Sequence, residues 1–450
     1  MNERTRTARC VDYTLGVLLG DALAARCREA VAYGPTRGEA TRPLWIVPSG
    51  FFGPAYGTPA SLPVLPLREV EGVPLLFGAP CVRRRGTRLV VHADIVASAY
   101  FLLTRYEEMV RRDVRDAHGR FPGTVSLPFR AGFIDRPIVD DYAALLRQWL
   151  REVGVDAPEP SRRFSVLLTH DVDVLRCGSA LRPRLRAAAA ALVRRSRIRT
   201  LAHDPFDSFD EIARLDAALA DSGVPTRAAW FFMAGGHTEH DGRYQVTDAA
   251  ARRTIRRLRD GGAEIGLHAS YEAGLRPELI AAERAALEEA AGTPVRGNRH
   301  HYLGWRETGH GRALAAAGIA WDSTLGYPDV AGFRLGTCRP VPLFDPARCE
   351  PLGIQEHPLA VMDATLSSSR YMGLGEDEAM GWCYRLIDQT RRHGGELVLL
   401  WHNTAFAPWL HNYHPRLYRR ILAELAGRLH PARHTEAAAT PERRRPAEVL

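Results

Sequence analysis

From Phe164 onward, short and nearly continuous apolar runs alternate with amphipathic helical stretches, and this alternation constrains the fold more than any other feature of the chain. "FSVLLTH", "TRAAWFFMAGG", "AEIGLHAS", "PVRGNRHHY", "IAWDST" and "ELVLLWHN" read as strands. "FDEIARLDAALADSG", "DAAARRTIRRLRDGG", "PELIAAERAALEEAAG", "GRALAAAG" and "EAMGWCYRLIDQTRRHGG" read as the helices between them. Strands apolar on both faces and joined by helices belong to a parallel sheet, open or closed into a barrel. In such sheets the reacting groups gather at the carboxyl ends of the strands. Those ends carry Asp171 and Asp173, His268, Arg299 with His300 and His301, Asp322, and His402.

Each of these residues alone has an ordinary explanation. Asp-x-Asp after a strand is commonly a solvated turn, and a lone histidine on a strand is commonly packed. His170 points to the opposite face from Asp171 and is expected to be structural. His237, His240, His310, His411 and His414 are expected to be surface or structural, and Asp322 in "WDST" to act as a cap. Taken together, the strand ends offer enough groups for metal-assisted hydrolysis. That chemistry needs about three protein ligands with a position left for water, a base, an acid for the leaving group and donors for an oxyanion.

On these residues the stretch from about 160 to 430 resembles the polysaccharide deacetylases with the NodB-homology domain, carbohydrate esterase family 4. "THDVD" stands where that family has T-F-D-D-G, which implies Asp171 as general base and Asp173 as metal ligand. "EIGLHASYE" stands where it has H-[ST]-x-x-H: His268 matches the first ligand, and Glu272 occupies the place of the second. "RHHYLGW" stands for R-x-P-x-G, so Arg299 would hold the base carboxylate and Tyr302 would offer its backbone N–H to the oxyanion. His301, arriving where the proline belongs, is the expected third ligand, with Glu272, His300 and His357 as fallbacks. "LVLLWHN" implies His402 as the general acid. The resemblance thus implies a distorted (β/α) barrel, a divalent metal of which Zn2+ is the expected identity, and removal of an N-acetyl group from an N-acetylated sugar or polysaccharide precursor by metal-activated water. A same-fold hydrolase of a non-sugar amide and a non-catalytic carbohydrate-binding protein are the alternatives.

The remainder of the chain carries less chemistry. "DAPEPS", Asp156 to Ser161, suggests a boundary between a smaller mixed α/β N-terminal domain (1–158) and the deacetylase-like domain (159–430), with 431–450 as a disordered tail. The N-terminal part resembles the uncharacterised domain that precedes the deacetylase domain in one bacterial subgroup. It is expected to contain a helix over "DIVASAYFLLTRYEEMVRR" and another over "DYAALLRQWLREVGV".

The net charge of +8 comes from arginine alone, since the chain has no lysine, and the arginines are spread through every segment. Spread of that kind argues against a nucleic-acid patch. "LRPRLRAAAAALVRRSRIRT" is expected to be a surface helix, with contact to a membrane surface the minority reading. Seven cysteines, widely spaced and never in C-x-x-C, exclude a disulfide framework and a thiolate zinc site. The apolar run near the amino terminus is short and interrupted by Asp21, so a soluble, cytoplasmic protein is expected.

Overall fold

The computed structural model describes residues 3–34, 42–161, 163–177, 204–306, 309–407 and 412–427. The arginine-alanine stretch, the tail and His411 lie outside these residues.

The first part of the chain opens with a helix over Glu3–Leu19 and builds a four-stranded sheet from β1 (Val31–Tyr33), β2 (Leu44–Ile46), β5 (Gly78–Arg85) and β6 (Arg88–Ala93), in the order β1-β2-β6-β5. A hairpin, β3 (Arg68–Val70) and β4 (Val73–Leu75), lies between. The single helix expected over "DIVASAYFLLTRYEEMVRR" is instead two, Ile95–Leu103 and Tyr106–Val110. The break is at Arg105, whose φ of 53° is left-handed and cannot continue an α-helix. The helix over Ile138–Glu152 forms as its spacing predicts, with Tyr142, Leu146, Trp149 and Leu150 buried on one face.

After Ser165 the chain forms one curled nine-stranded sheet, half a barrel in shape and compatible with the expected distorted barrel. Its strands are β7 (Ser165–Val172), β8 (Thr226–Phe232), β9 (Glu264–Ala269), β10 (Gly297–His300), β11 (Trp321–Asp322), β12 (Val341–Asp345), β13 (Glu350–Glu356), β14 (Val361–Met362) and β15 (Glu396–Leu400). The order is β12-β13-β11-β10-β9-β8-β7-β15-β14, parallel throughout except for β12 at one edge. All the strands and helices read from the alternation are present. β12, β13 and β14 are additional. Among the described residues no helix is long and apolar enough to cross a membrane.

The period of two along β7 sorts its residues between two cores. Val166, Leu168 and Val172 pack outward into the large core under the helices, while Leu167 joins Ala229, Phe231, Leu303, Trp321, Val398 and Leu400 on the concave side. Two glycines make room for the aromatic floor of that side. A Cβ on Gly266 would meet the Phe231 ring at 2.5 Å, and one on Gly297 would meet the Trp321 ring at 2.3 Å. Burying Phe231 stabilises the fold by about 2–3 kcal/mol and also puts an apolar platform beneath the strand ends.

His170 is structural, as the alternation predicts. Fully buried on the helix side, its ring bonds the Trp401 carbonyl through Nδ1 (2.9 Å) and Asp216 through Nε2 (2.9 Å). Asp216 also accepts the Tyr418 hydroxyl at 2.6 Å, so three elements meet at one carboxylate. His170→Ala should therefore lower the free energy of unfolding by about 2–4 kcal/mol in urea titrations and leave metal stoichiometry unchanged. Loss of bound metal in that variant would contradict the assignment of its side chain to the outer face.

Candidate metal centre

The concave side continues upward from Leu167 through Thr169 and Asp171 to Asp173, so one strand delivers both acids to the same face two residues apart. β9 delivers His268 beside them, because its register with β10 sets His268 opposite Arg299. His301 follows β10, and His402 follows β15. These side chains line a cavity of about 860 Å3 together with Arg120, His240, Tyr244, Tyr302 and Tyr371.

Asp173, His268 and His301 each turn one ligand atom toward a common point, the three atoms lying within 4.8 Å of one another. Asp173 Oδ1 is 3.2 Å from His268 Nε2 and 3.5 Å from His301 Nε2. Tetrahedral bonds of about 2.0–2.1 Å set neighbouring ligand atoms about 3.3–3.4 Å apart, and the two separations from Asp173 match that spacing, so the donor set fits a divalent ion. The Nδ1 of His268 donates to the Arg299 carbonyl at 2.9 Å, which leaves Nε2 as the free nitrogen on the metal side. Two imidazoles and a carboxylate, with no thiolate among them, are ligands suited to zinc and also to other first-row ions.

Glu272, at the place of the second motif histidine, is spent elsewhere. It accepts the His237 N–H at 3.1 Å and pairs with Arg276 at 3.2 Å. The other fallbacks are likewise outside the cluster. His300 lies on the helix side against Asn298 and His310. His357 is taken up by Glu396 at the amino end of β15, which it bonds at 2.5 Å.

Asp171 is buried, and its Oδ1 has no hydrogen-bond partner. Arg299 sits 3.6 Å away through Nε, an ion pair too long to be a hydrogen bond, while its Nη2 donates to Thr169 at 2.7 Å and Ser323 at 3.1 Å. The guanidinium lies over the Phe231 ring at 5.1 Å. Asp322 caps no helix, since among the described residues none lies between β11 and β12. Instead it holds the turn after β11, bonding Asn298 at 2.7 Å and the Thr324 N–H at 3.0 Å.

His402 has a carboxylate of its own. Asp363, buried at the start of the helix after β14, accepts from His402 Nδ1 at 2.8 Å and from its backbone N–H at 2.8 Å. Burial alone would lower the His402 pKa, but Asp363 and then Asp173 overcome it and raise the value to about 10 in the metal-free chain. Burial would raise Asp173, yet the positive charge of His301 and bonds from His268 and His301 hold it well below the usual carboxylate range. His268 is raised too, the cost of its burial outweighed by Asp171 and Asp173.

Asp363, His240 and Arg120 are the residues that sequence reasoning missed. The signal for Asp363 was an acid directly after the apolar pair "VM", too short a strand to show a period. His240 packs on Tyr271 and Tyr302, at ring separations of 4.5 and 5.4 Å, and so lines the cavity instead of the outer surface. Arg120 comes from the N-terminal region, where spacing carried no hint of chemistry.

Tyr302 and Leu303 both have left-handed backbones, with φ of 59° and 52°. Strain of this kind at a non-glycine residue costs about 1–3 kcal/mol each and clusters at functional turns.

Comparison with known proteins places a family described only as of unknown function, DUF7033, on residues 24–154. No curated protein matches the chain. Among solved structures, the chain is similar to a Mycobacterium smegmatis protein provisionally described as a polysaccharide deacetylase, at 20% identity and a TM-score of 0.38, over 60% of this chain and 86% of that one. It is also similar to a GH57 branching enzyme from Thermococcus kodakaraensis, at 12% identity and a TM-score of 0.33, over 59% and 68% of the two chains. A tryptophan synthase from Mycobacterium tuberculosis matches at 12% identity and a TM-score of 0.24, over 60% and 94%. Likeness at this level carries no argument about function, which has to come from the site.

Loss of a ligand should be visible in binding. His268→Ala should abolish uptake of zinc or cobalt, His301→Ala should weaken it at least about tenfold, and Asp171→Asn should leave it intact, all by titration of metal-free protein. Unchanged affinity in His301→Ala would remove that residue from the ligand set.

Proposed function

We propose that the protein is a metal-dependent hydrolase that removes the N-acetyl group from an N-acetylated sugar or polysaccharide precursor. The observation that carries this reading is the pairing of two groups around one three-donor metal site. Asp171 offers a buried carboxylate oxygen without a hydrogen-bond partner, and His402 is an imidazole held by its own carboxylate. A base and an acid beside a Lewis-acid site are what hydrolysis of an amide requires. The sugar as substrate rests on the motif resemblance and on a cavity rimmed with aromatic and polar groups.

A divalent cation on Asp173, His268 and His301, Zn2+ by preference, would polarise the carbonyl and lower the pKa of water from about 15.7 to near 7. Asp171 takes the proton of the attacking water on Oδ1, and Arg299 faces the resulting change in charge. As the oxygen of the carbonyl becomes negative, the Tyr302 N–H is the donor assigned to it. His402 then passes a proton from Nε2 to the departing nitrogen, while Asp363 holds Nδ1 and so fixes which nitrogen carries the transferable proton. The products are the free amine and acetate.

Glu272 in place of a ligand histidine is the feature that would favour a non-catalytic binding protein. His301 supplies the missing nitrogen at 3.5 Å from Asp173, which favours the enzyme.

Protein loaded with zinc or cobalt should release acetate from N-acetylated oligosaccharides or sugar precursors, and protein stripped by a chelator should not. His402 acts as an acid, so activity is present while it is protonated and is lost as pH rises through its pKa. Asp363→Asn removes the larger carboxylate contribution, and the alkaline limb of kcat should move down by about one unit or more. No acetate release at any metal loading would refute the reading, and an unmoved limb would release His402 from its role.

A further inference from the structure

Among the described residues, the region matched by the family of unknown function reaches the cavity through Arg120, at the end of the short loop 116–120. We propose that Arg120 is a positioning residue: it locks the left-handed turn at Tyr302–Leu303, and through that turn it sets the His301 imidazole and the Tyr302 N–H. The N-terminal region thereby completes the site instead of standing beside it. What the turn does in the reaction rests on the proposed function, but the locking of the turn does not.

Arg120 Nη1 donates to the Tyr302 carbonyl at 2.9 Å. Holding that oxygen fixes the peptide on one side of Tyr302, at the residue whose φ and ψ, 59° and 14°, are least natural for it. The guanidinium is in turn held rigidly. It is 5% exposed, and its Nε and Nη2 both meet Asp116 Oδ2 at 2.7 Å, while Nη2 reaches the Tyr371 hydroxyl at 3.3 Å. Asp116 is fixed within its own loop, since its Oδ1 accepts the N–H groups of His118 and Arg120 at 2.9 Å each. A planar fork anchored on one edge by a carboxylate presents its remaining donors in a set direction, which a lysine cannot do.

The clasp is reciprocal. Arg306, just beyond the turn, donates to the His118 carbonyl at 2.8 Å and to Gly274 at 2.5 Å. Each loop thus sends an arginine to a backbone carbonyl of the other. Gly119 permits the approach, because its φ is +73° and a Cβ there would stand 3.0 Å from the Arg306 guanidinium. The His118 ring packs on Tyr302 at 4.6 Å and backs the wall formed with His240 and Tyr271.

A purely structural role would make Arg120 one of several ties between the two regions. Arg334 and Glu108, paired at 2.6 and 2.9 Å and fully enclosed, supply the control, since they join the same regions away from the cavity. Hydrogen exchange of the full-length protein distinguishes the two roles. In Arg120→Ala the amides of residues 300–306 should exchange at least about tenfold faster, Arg120→Lys should recover only part of the protection, and Glu108→Gln should leave this segment as in the wild type. In the same variants cobalt affinity should fall about tenfold for Arg120→Ala and stay unchanged for Glu108→Gln. Should Arg120→Ala fail to fold, Asp116→Asn and Arg120→Lys report the same segment. Unchanged exchange at 300–306 in Arg120→Ala, or an equal change in Glu108→Gln, overturns the proposal. Faster exchange in a protein whose wild type releases no acetate would sustain the positioning role and defeat the hydrolase reading alone. On an active protein, kcat should fall about tenfold with KM within twofold, and retained kcat with an unaltered turn would defeat the inference alone.

Discussion

One carboxylate organises the site. Asp173 stands within 3.2 to 3.6 Å of three imidazoles, His268, His301 and His402, which arrive from the ends of three different strands. Without a cation Asp173 is held acidic by the rings around it, while His268 is held basic by Asp171 together with Asp173, and His402 by Asp363 and then Asp173. A divalent ion changes the accounting. Bound here, it would take one oxygen of Asp173 and the Nε2 atoms of His268 and His301, and these two rings would then be neutral. His402 is held through Nδ1 by Asp363, a carboxylate outside the candidate ligand set. The imidazole with its own carboxylate thus stands beside the candidate ligands, 3.6 Å from Asp173, and apart from them.

The separation depends on the strand period. Successive residues of β7 face opposite sides, so Asp171 and Asp173 share the concave face while His170, just before Asp171, and Val172, between the two acids, are packed under the helices. The same rule places Arg299 on the concave side and His300 on the other. Gly266 and Gly297 then leave room for Phe231 and Trp321 on the concave side, where the Arg299 guanidinium lies over the Phe231 ring.

Most of the sheet was legible because its strands are long enough to show continuous apolar runs, and most of the site because its residues end those runs. The edge strands, and β13 next to one of them, were not legible. β14 has two residues and β12 is amphipathic beside an irregular turn, so neither produces a period to count. Asp363 escaped for that reason. Arg120 escaped for another: its role is created by a bond to a backbone carbonyl far along the chain, and no local pattern encodes such a partner. The replacement of the second motif histidine by Glu272 was legible as a gap. Its filling by His301 could be expected from the residue type, but whether the nitrogen came within reach of Asp173 needed the fold.

The central claim is that Asp173, His268 and His301 hold one metal ion. Anomalous diffraction at the zinc edge from crystals grown with the metal tests it directly. The account predicts one strong peak about 2.0–2.2 Å from Asp173 Oδ1, His268 Nε2 and His301 Nε2, with Glu272 and His357 remote from it. A peak bound by other residues, or none at full metal loading, would contradict it.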